Sequence, residues 1–348
     1  MAGIRNHVCL LGLKIEMRGV SVNSLICRIC QNAYDNELFL VSGHRRGTSI
    51  KFEYMFCGHC KSIQLLSPVI NGETLYNESY YSFSSFLIRI LKIENRLSRV
   101  IFKIYSKFIL EPSYNGTKFK SLLKLLELVD INVESIGKLS PKLSTRILDV
   151  GCGGGGFLLK LRLLGFYDLT GIDPYLPADQ SIGSIRLFKN SLDNHKPTKL
   201  YDLIFLNHSL EHLANPVQSL LVCKNLLSSD GTVVVSIPLV SYAYYKYKVN
   251  WHGIDAPSHI HIFSPEEFMS FVKRLGFVVQ FYYFNSLSNQ FVISEKYASG
   301  DNASLNAVPD LIKFILLKAF SPKIRNYIRE AQCLNENEQG DQAVFFLR

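Results

Sequence analysis

The chain has 348 residues, 47% of them hydrophobic and 19% charged, with a formal net charge of +9. That balance excludes a disordered or fibrous chain, and the length allows a sizeable buried core and about two units. The basic surplus points to an anionic partner such as a nucleotide-linked substrate, a nucleic acid or an acidic lipid surface. Four of the eight cysteines form two C-x-x-C pairs and the others, Cys9, Cys152, Cys223 and Cys333, are scattered. This is not the framework of a secreted disulfide scaffold, so a reducing cytoplasm is the expected location.

In chain order, residues 1–22 read as a flexible tail without a signal-peptide cleavage site. Residues 23–68 carry CRIC and CGHC, which offer the thiols of Cys27, Cys30, Cys57 and Cys60. Four soft ligands in two knuckles predict a tetrahedral zinc site, and the spacing predicts a small zinc ribbon with a long hairpin between the knuckles. KFEYMF alternates like one strand of that hairpin, and His59 is expected exposed, outside the ligand set. Residues 69–117 read as a helical connector. Within it, 84–110 has apolar residues at helical spacing and six basic residues against Glu94. A core-facing helix with a solvated basic face is the preferred reading, and peripheral contact with a membrane is the other. A second amphipathic helix is expected over 118–131. Apolar runs such as LIKFILLKAF are broken by lysine before reaching membrane-spanning length.

The last unit, residues 118–348, alternates strand and helix patterns from RILDV onward. DLTGID, SIRLF, YDLIFLN, GTVVVSIP, FVVQFYYF and QAVFFLR read as further strands. Helices are expected at FLLKLRLLGF, NPVQSLLVCKNLL and PEEFMSFVKRLGF, the last capped by Ser264. Such alternation predicts an α/β fold, a doubly wound seven-stranded sheet with ligands at the carboxyl ends of its strands. The run ILDVGCGGGG then lies where the first strand turns into the first helix. Gly151, Gly153 and Gly156 satisfy G-x-G-x-x-G, while Gly151, Gly153 and Gly155 equally satisfy G-x-G-x-G, so the glycines alone do not choose a ligand. Asp149 is more telling. A carboxylate at the strand's end opposes a pyrophosphate and suits a ligand with an ammonium and a sulfonium. Asp173, ending the second strand, can accept two hydrogen bonds from a ribose diol.

ILDVGCGGG, GIDP, YDLIFLNHSLEHLANP and DGTVVVSIP, in that order, resemble class I S-adenosylmethionine-dependent methyltransferases, whose core is Rossmann-like. The resemblance covers roughly residues 118–348. It implies that Asp149, Gly151 and Gly153 line the methionine part of the cofactor, that Asp173 holds the ribose, and that Ser191 and Leu192 lie at the adenine. Asn190 stands where the family often has an aspartate. Gly155 and Asn207 complete the expected cofactor set. A narrower resemblance joins the knuckle pair, YNESYYSF, the core, NWHGIDAPSHIHIFS and GDQAVFFLR, and is to bacterial methyltransferases of polysaccharide and O-antigen clusters. It implies methyl transfer to a nucleotide- or lipid-linked sugar, with no nucleic acid as partner. The alternatives are an RNA or other small-molecule methyltransferase, or a zinc-bearing scaffold with a methyltransferase-like core.

A sugar hydroxyl is a weak nucleophile and gains from a general base. NHSLEHL supplies His208, Glu211 and His212 after the fourth strand, and WHGIDAPSHIHIFS supplies His252, Asp255, His259 and His261 after the fifth. Glu211, His212 and His259 are the expected catalytic residues, with His259 the base. Residues 251–264 are expected to form a substrate lid, with Trp251 as a platform for a sugar face and His261 pointing the same way as His259. H-x-x-E-H with a distant histidine also resembles the E-x-x-E-H…H metal site of small-RNA 2′-O-methyltransferases, which leaves open a second metal at His208, Glu211, His212 and His259.

Overall fold

The computed structural model describes residues 9–10, 13–14, 25–44, 50–67, 131–300 and 321–348. The connector over 69–117, the basic stretch 84–110 and the helix expected over 118–131 lie outside the described residues, except Ile131. The tail is described only where Cys9–Leu10 pairs with Leu13–Lys14.

The ribbon holds three strands, β1 (Glu37–Ser42), β2 (Lys51–Phe56) and β3 (Ile63–Leu65). α1 (Ile131–Leu139) leads into the main sheet at β4 (Ile147–Val150), followed by α2 (Gly156–Leu163) and β5 (Leu169–Ile172). Next come β6 (Gln180–Ile182), β7 (Ile185–Phe188), β8 (Tyr201–Asn207), α3 (Pro216–Leu226) and β9 (Leu227–Pro238). Past β9 the chain forms α4 (Tyr242–Tyr247), β10 (His261–Ile262), α5 (Pro265–Arg274) and β11 (Val279–Phe284). α6 (Asn289–Ala298), α7 (Pro322–Glu336) and β12 (Gln342–Leu347) complete it.

The main sheet runs β11-β12-β9-β8-β4-β5-β7-β6. Its centre is parallel, and β12 inserts antiparallel between β9 and β11. The sheet has eight strands, one more than expected, because Gln180–Ile182 folds back on β7 as a hairpin. β8 is apolar on both faces because both are covered. Ile204 and Leu206 join the core under α3 and α5, while Leu203 and Phe205 join the core under α1 and α2. Capping is strong where the sequence offers it. Ser264 Oγ accepts from the Glu267 N–H at 3.2 Å, Pro265 sits at the first helical position, and Glu266 and Glu267 meet the positive helix end.

A third core joins the ribbon to the main sheet. Tyr54, Ile63 and Leu65 pack with Trp251, Ile254 and Ile262, all nearly or fully buried. Each such side chain contributes about 1.5–3 kcal/mol relative to exposure. β10 extends the ribbon sheet, pairing His261 with Gln64 and Ile262 with Ile63. A strand of the α/β unit therefore belongs to the sheet of the cysteine-bearing unit.

Candidate active site

The sheet reverses its winding between β4 and β8, and in such sheets ligands bind at the carboxyl ends of the strands at that point. The turn after β4 needs left-handed backbone at Gly151, φ +73°, and at Gly153, φ +51°, which glycine adopts readily. Space also forbids a side chain at Gly151, where a Cβ would stand 2.8 Å from that of Ser209. The Gly151 N–H donates to the Ile172 carbonyl at 2.9 Å, which ties the turn to β5.

Asp173 accepts from the Gly153 N–H at 3.0 Å and from the Tyr175 N–H at 2.9 Å. Asp149 is buried and accepts from Asn207 Nδ2 at 3.4 Å. Burial pushes its carboxyl up to about 7; the Asp173 charge adds to the rise and Asn207 opposes it. Burial raises Asp173 as well, against its two backbone donors and the His212 charge. Two such buried carboxylates favour a cationic guest. The buried Ser209 hydroxyl has no hydrogen-bond partner among the described residues. Asn190, Ser191 and Leu192 follow β7 beside Asp173, whose N–H donates to the Phe188 carbonyl at 3.1 Å. A bare backbone turn, a carboxylate for an ammonium and sulfonium, and a second carboxylate for a diol form a donor set that S-adenosylmethionine fits.

Beside this cradle, the 3₁₀ turn Leu210–His212 after β8 brings Glu211 and His212 toward His259. His259 Nε2 stands 4.0 Å from Glu211 Oε1, and the rings of His212 and His259 meet edge-on at 4.8 Å. Each ring is held by a backbone carbonyl, His212 Nδ1 donating to Ser258 and His259 Nδ1 to Gly253, both at 2.8 Å. Burial and the neighbouring His212 push His259 down to about 4, against Asp255 and Glu211, so it is neutral at pH 7. Burial alone would raise the Glu211 carboxyl, but the three surrounding histidines hold it below the usual value. The cluster is tied across by the Ile260 N–H donating to the Glu211 carbonyl at 2.8 Å.

Residues 120–280 match a family model described as a methyltransferase domain. The described part of that stretch, 131–280, has the mixed α/β, Rossmann-like fold of a methyltransferase domain. Among curated proteins the chain is 34% identical over 129 residues to a ubiquinone biosynthesis O-methyltransferase of Glaesserella parasuis, covering 33% of this chain and 52% of that protein. It is 31% identical over 121 residues to its counterpart in Rickettsia prowazekii, covering 32% of this chain and 45% of that protein. The chain thus spans about half the length of the curated relatives it matches. A solved coclaurine N-methyltransferase bound to N-methylheliamine and SAH aligns with 14% identity over 79% of this chain and 98% of that chain, with a TM-score of 0.39.

Against the α/β unit lies the cysteine cluster. Cys27 and Cys60 sulfurs are 3.8 Å apart and those of Cys30 and Cys57 3.6 Å. All four lie within 4.8 Å of one another. A tetrahedron with Zn–S bonds of about 2.3 Å has edges of about 3.8 Å, so the donor set fits zinc. The knuckles repeat one conformation: Gln31 and Lys61 have positive φ, and their N–H groups donate to Cys27 and Cys57 carbonyls at 2.8 and 3.0 Å. His59 is exposed.

Segment 251–264 departs from the expected lid. Trp251 is 1% exposed and its Nε1 donates to Asp341 Oδ2 at 3.0 Å, so it offers no platform to a ligand. His252 also turns to Asp341, 3.2 Å away. His261 does not join His259: the strand begins only at His261, and its Nε2 faces the Ala214 carbonyl at 3.3 Å. The segment is a wall wedged between ribbon and sheet. Sequence reasoning missed the residues that hold it, above all Tyr54, whose hydroxyl donates to the His259 carbonyl at 3.0 Å, and Asp341. Both lie in stretches read for other reasons, KFEYMF as a strand and GDQAVFFLR as part of a resemblance, and their partners are distant in sequence.

Proposed function

We propose that the chain is an S-adenosylmethionine-dependent methyltransferase acting on a hydroxyl oxygen of a small acceptor, and that this acceptor is a nucleotide- or lipid-linked sugar. The observation that carries the reading is the adjacency of two sites: the Asp149–glycine–Asp173 cradle and the Glu211–His212–His259 cluster at the mouth of β8. The cofactor supplies a cationic sulfonium carbon. Asp149 meets its positive end, and Asp173 its ribose. Gly151, Gly153 and Gly155 let it approach the backbone, and Asn207, Ser191 and Leu192 complete its surroundings. His259, neutral with its lone pair on Nε2, receives the acceptor proton, while Glu211 and His212 orient that pole. Holding acceptor oxygen and methyl carbon in line is the main contribution.

The ribbon formed by residues 23–68 binds one zinc ion through Cys27, Cys30, Cys57 and Cys60 and props the acceptor side. The remaining segments are the tail 1–22, the connector 69–117 and the transferase unit 118–348. Among the described residues no helix is long and apolar enough to cross a membrane. The curated relatives favour a second reading, a phenolic acceptor of the kind that ubiquinone biosynthesis requires. An assay of the full-length protein with nucleotide sugars and catechols separates the two. Transfer only to the catechols would overturn the sugar reading, and transfer to neither class with no cofactor bound would overturn both.

Cofactor affinity carries a pH signature. Burial pushes the Asp149 carboxyl up to about 7, with Asn207, Asp173 and Cys152 as its neighbours. A bound ammonium favours the ionised form, so binding expels the proton. Affinity is expected to be constant well above pH 7 and to fall by up to about tenfold per unit below it. Calorimetry from pH 5.5 to 8.5 reads this, and Asp149→Asn should flatten the curve. A flat curve for the unaltered protein would overturn the role of Asp149.

A further inference from the structure

The connection from β7 to β8 leaves part of the main sheet uncovered. These strands lie on either side of β4 and β5, and a parallel crossover of this kind usually carries a helix. Here residues 189–200 form turns and no helix. Thr170 of β5 pairs in register with Arg186 of β7, and Phe188 shares the Arg186 face by alternation. Above these side chains stands a cavity of about 690 Å³, walled on its other side by the stretch 190–201 and closed at one end by Arg146. Neither the cofactor cradle of Asp149, Gly151 and Asp173 nor the cluster of Glu211, His212 and His259 lines it.

The cavity has two chemically distinct ends. Arg146 directly precedes β4, Lys199 lies just ahead of β8, and with Arg186 and Lys196 they set four cations against one lining carboxylate, Asp168. Arg186 Nη2 meets Asp168 Oδ1 at 3.3 Å, and Arg146 Nε stands 3.9 Å from Asp202 Oδ2. Each guanidinium has five N–H donors and keeps some beyond its pair. Lys196 and Lys199 are exposed and meet no acid among the described residues. Between the ends the lining is polar and buried. Thr170 is 1% exposed, and His195 Nε2 bonds the Tyr201 hydroxyl at 2.8 Å. Burial lowers the His195 pKa, so the ring adds a dipole and no charge at pH 7. At the other end, past the carboxyl end of β7, half-buried Phe188 lies with Asn190 and Asn194, whose amides have no hydrogen-bond partner among the described residues.

We propose that this cavity binds a nucleoside diphosphate, at a site separate from the cofactor cradle. The diphosphate meets the guanidinium and ammonium donors, with arginine able to grip two oxygens at once. The base lies toward Phe188, where the Asn190 and Asn194 amides offer both donors and acceptors to its edge. The volume falls within the roughly 300–1,000 Å³ of small-ligand sites. A bare phosphate leaves the amide end unused. A nucleic-acid strand requires a basic track along the surface, whereas these cations converge on one cavity. The site also gives the basic surplus of the chain a specific anionic partner. Its occupancy does not depend on the methyltransferase reading.

The test is calorimetry on the full-length protein with the diphosphates of uridine, cytidine, adenosine and guanosine, and with pyrophosphate and the free nucleosides as comparators. S-adenosylmethionine binding is measured in parallel. One nucleoside diphosphate per chain is expected, bound more tightly than pyrophosphate or its own nucleoside. Its Kd should rise about tenfold or more in the double variant Lys196→Gln/Lys199→Gln and in Arg186→Gln, as expected for lost bonds to a charged group. The two lysines are exposed, so the double variant should keep its thermal unfolding. Saturating S-adenosylhomocysteine should leave the diphosphate bound. Absence of binding by all four diphosphates, pyrophosphate binding as tight as theirs, displacement by S-adenosylhomocysteine, or affinity that survives both variants overturns the proposal. A single-stranded oligonucleotide that binds more tightly and weakens in the same variants overturns the small-ligand assignment. Diphosphate binding without S-adenosylmethionine binding supports the site and overturns the proposed function; cofactor binding without diphosphate binding does the reverse.

Discussion

Cys57→Ser is expected to abolish zinc binding and to lower methyl transfer by about 10² or more, while cofactor affinity stays within a few-fold. Closing a structural zinc site contributes on the order of 10 kcal/mol to folding its unit. Cys57 is fully buried among the four cysteines, and the ribbon around it is not independent of the reaction side. Ser264 Oγ donates to the Cys60 carbonyl at 2.8 Å, β10 pairs with β3, and the Tyr54 hydroxyl holds the His259 carbonyl. A loosened ribbon moves His259, and a displacement of about 1 Å at a reacting group can cost 10² in rate. The cofactor cradle is on the main sheet, between two cores that do not use the ribbon strands. Elemental analysis, calorimetry and turnover measure the three quantities. A zinc-free protein with unchanged turnover would show that the ribbon plays no part on the acceptor side.

His259→Gln is expected to slow turnover by about 10²–10⁴, the range for losing a general base, and to spare cofactor affinity. The glutamine amide can still donate to the Gly253 carbonyl, so the wall keeps its anchor, but no imidazole lone pair remains opposite Glu211. Steady-state kinetics on the true acceptor, with thermal unfolding as control, reads the effect. Near-normal turnover in folded protein would sink the base role.

Much of the fold can be read from local pattern. Strands buried on both faces announce themselves as short apolar runs, and β4, β5, β8 and β9 fall where the runs predict. The glycine turn is legible because its backbone demand is written in residue type. The two knuckles are legible because their ligands are adjacent. α6 and α7 escaped notice because each hides few positions: α7 buries Ile328, Ala331 and Leu334 in an otherwise polar sequence. The wall 251–264 was misread for a different reason. Its aromatic and histidine density reads in sequence as exposure to a ligand, whereas Trp251 and His252 are spent on Asp341, 90 and 89 residues away. The period-two argument for His261 failed because it requires a strand spanning both histidines, and β10 starts at the second. Glu211, His212 and His259 could be named from type and position after β8 and β9, but the distances that bring the trio together are visible only in three dimensions.

The pairing of β3 with β10 also sets an order of events during synthesis. The Tyr54 hydroxyl and its acceptor at His259 are 205 residues apart. At roughly 5–20 residues per second, the cysteine hairpin leaves the ribosome tens of seconds before the strand that covers its edge has been made. For that interval β3 presents an open ladder of N–H and C=O groups beside buried-type side chains, a template for pairing with the wrong chain. Early capture of zinc stiffens the hairpin but does not close that edge. The nascent chain is therefore most exposed to misassembly in mid-translation, and its yield in cells should respond more to the speed of elongation through the following two hundred codons than to the stability of the finished protein.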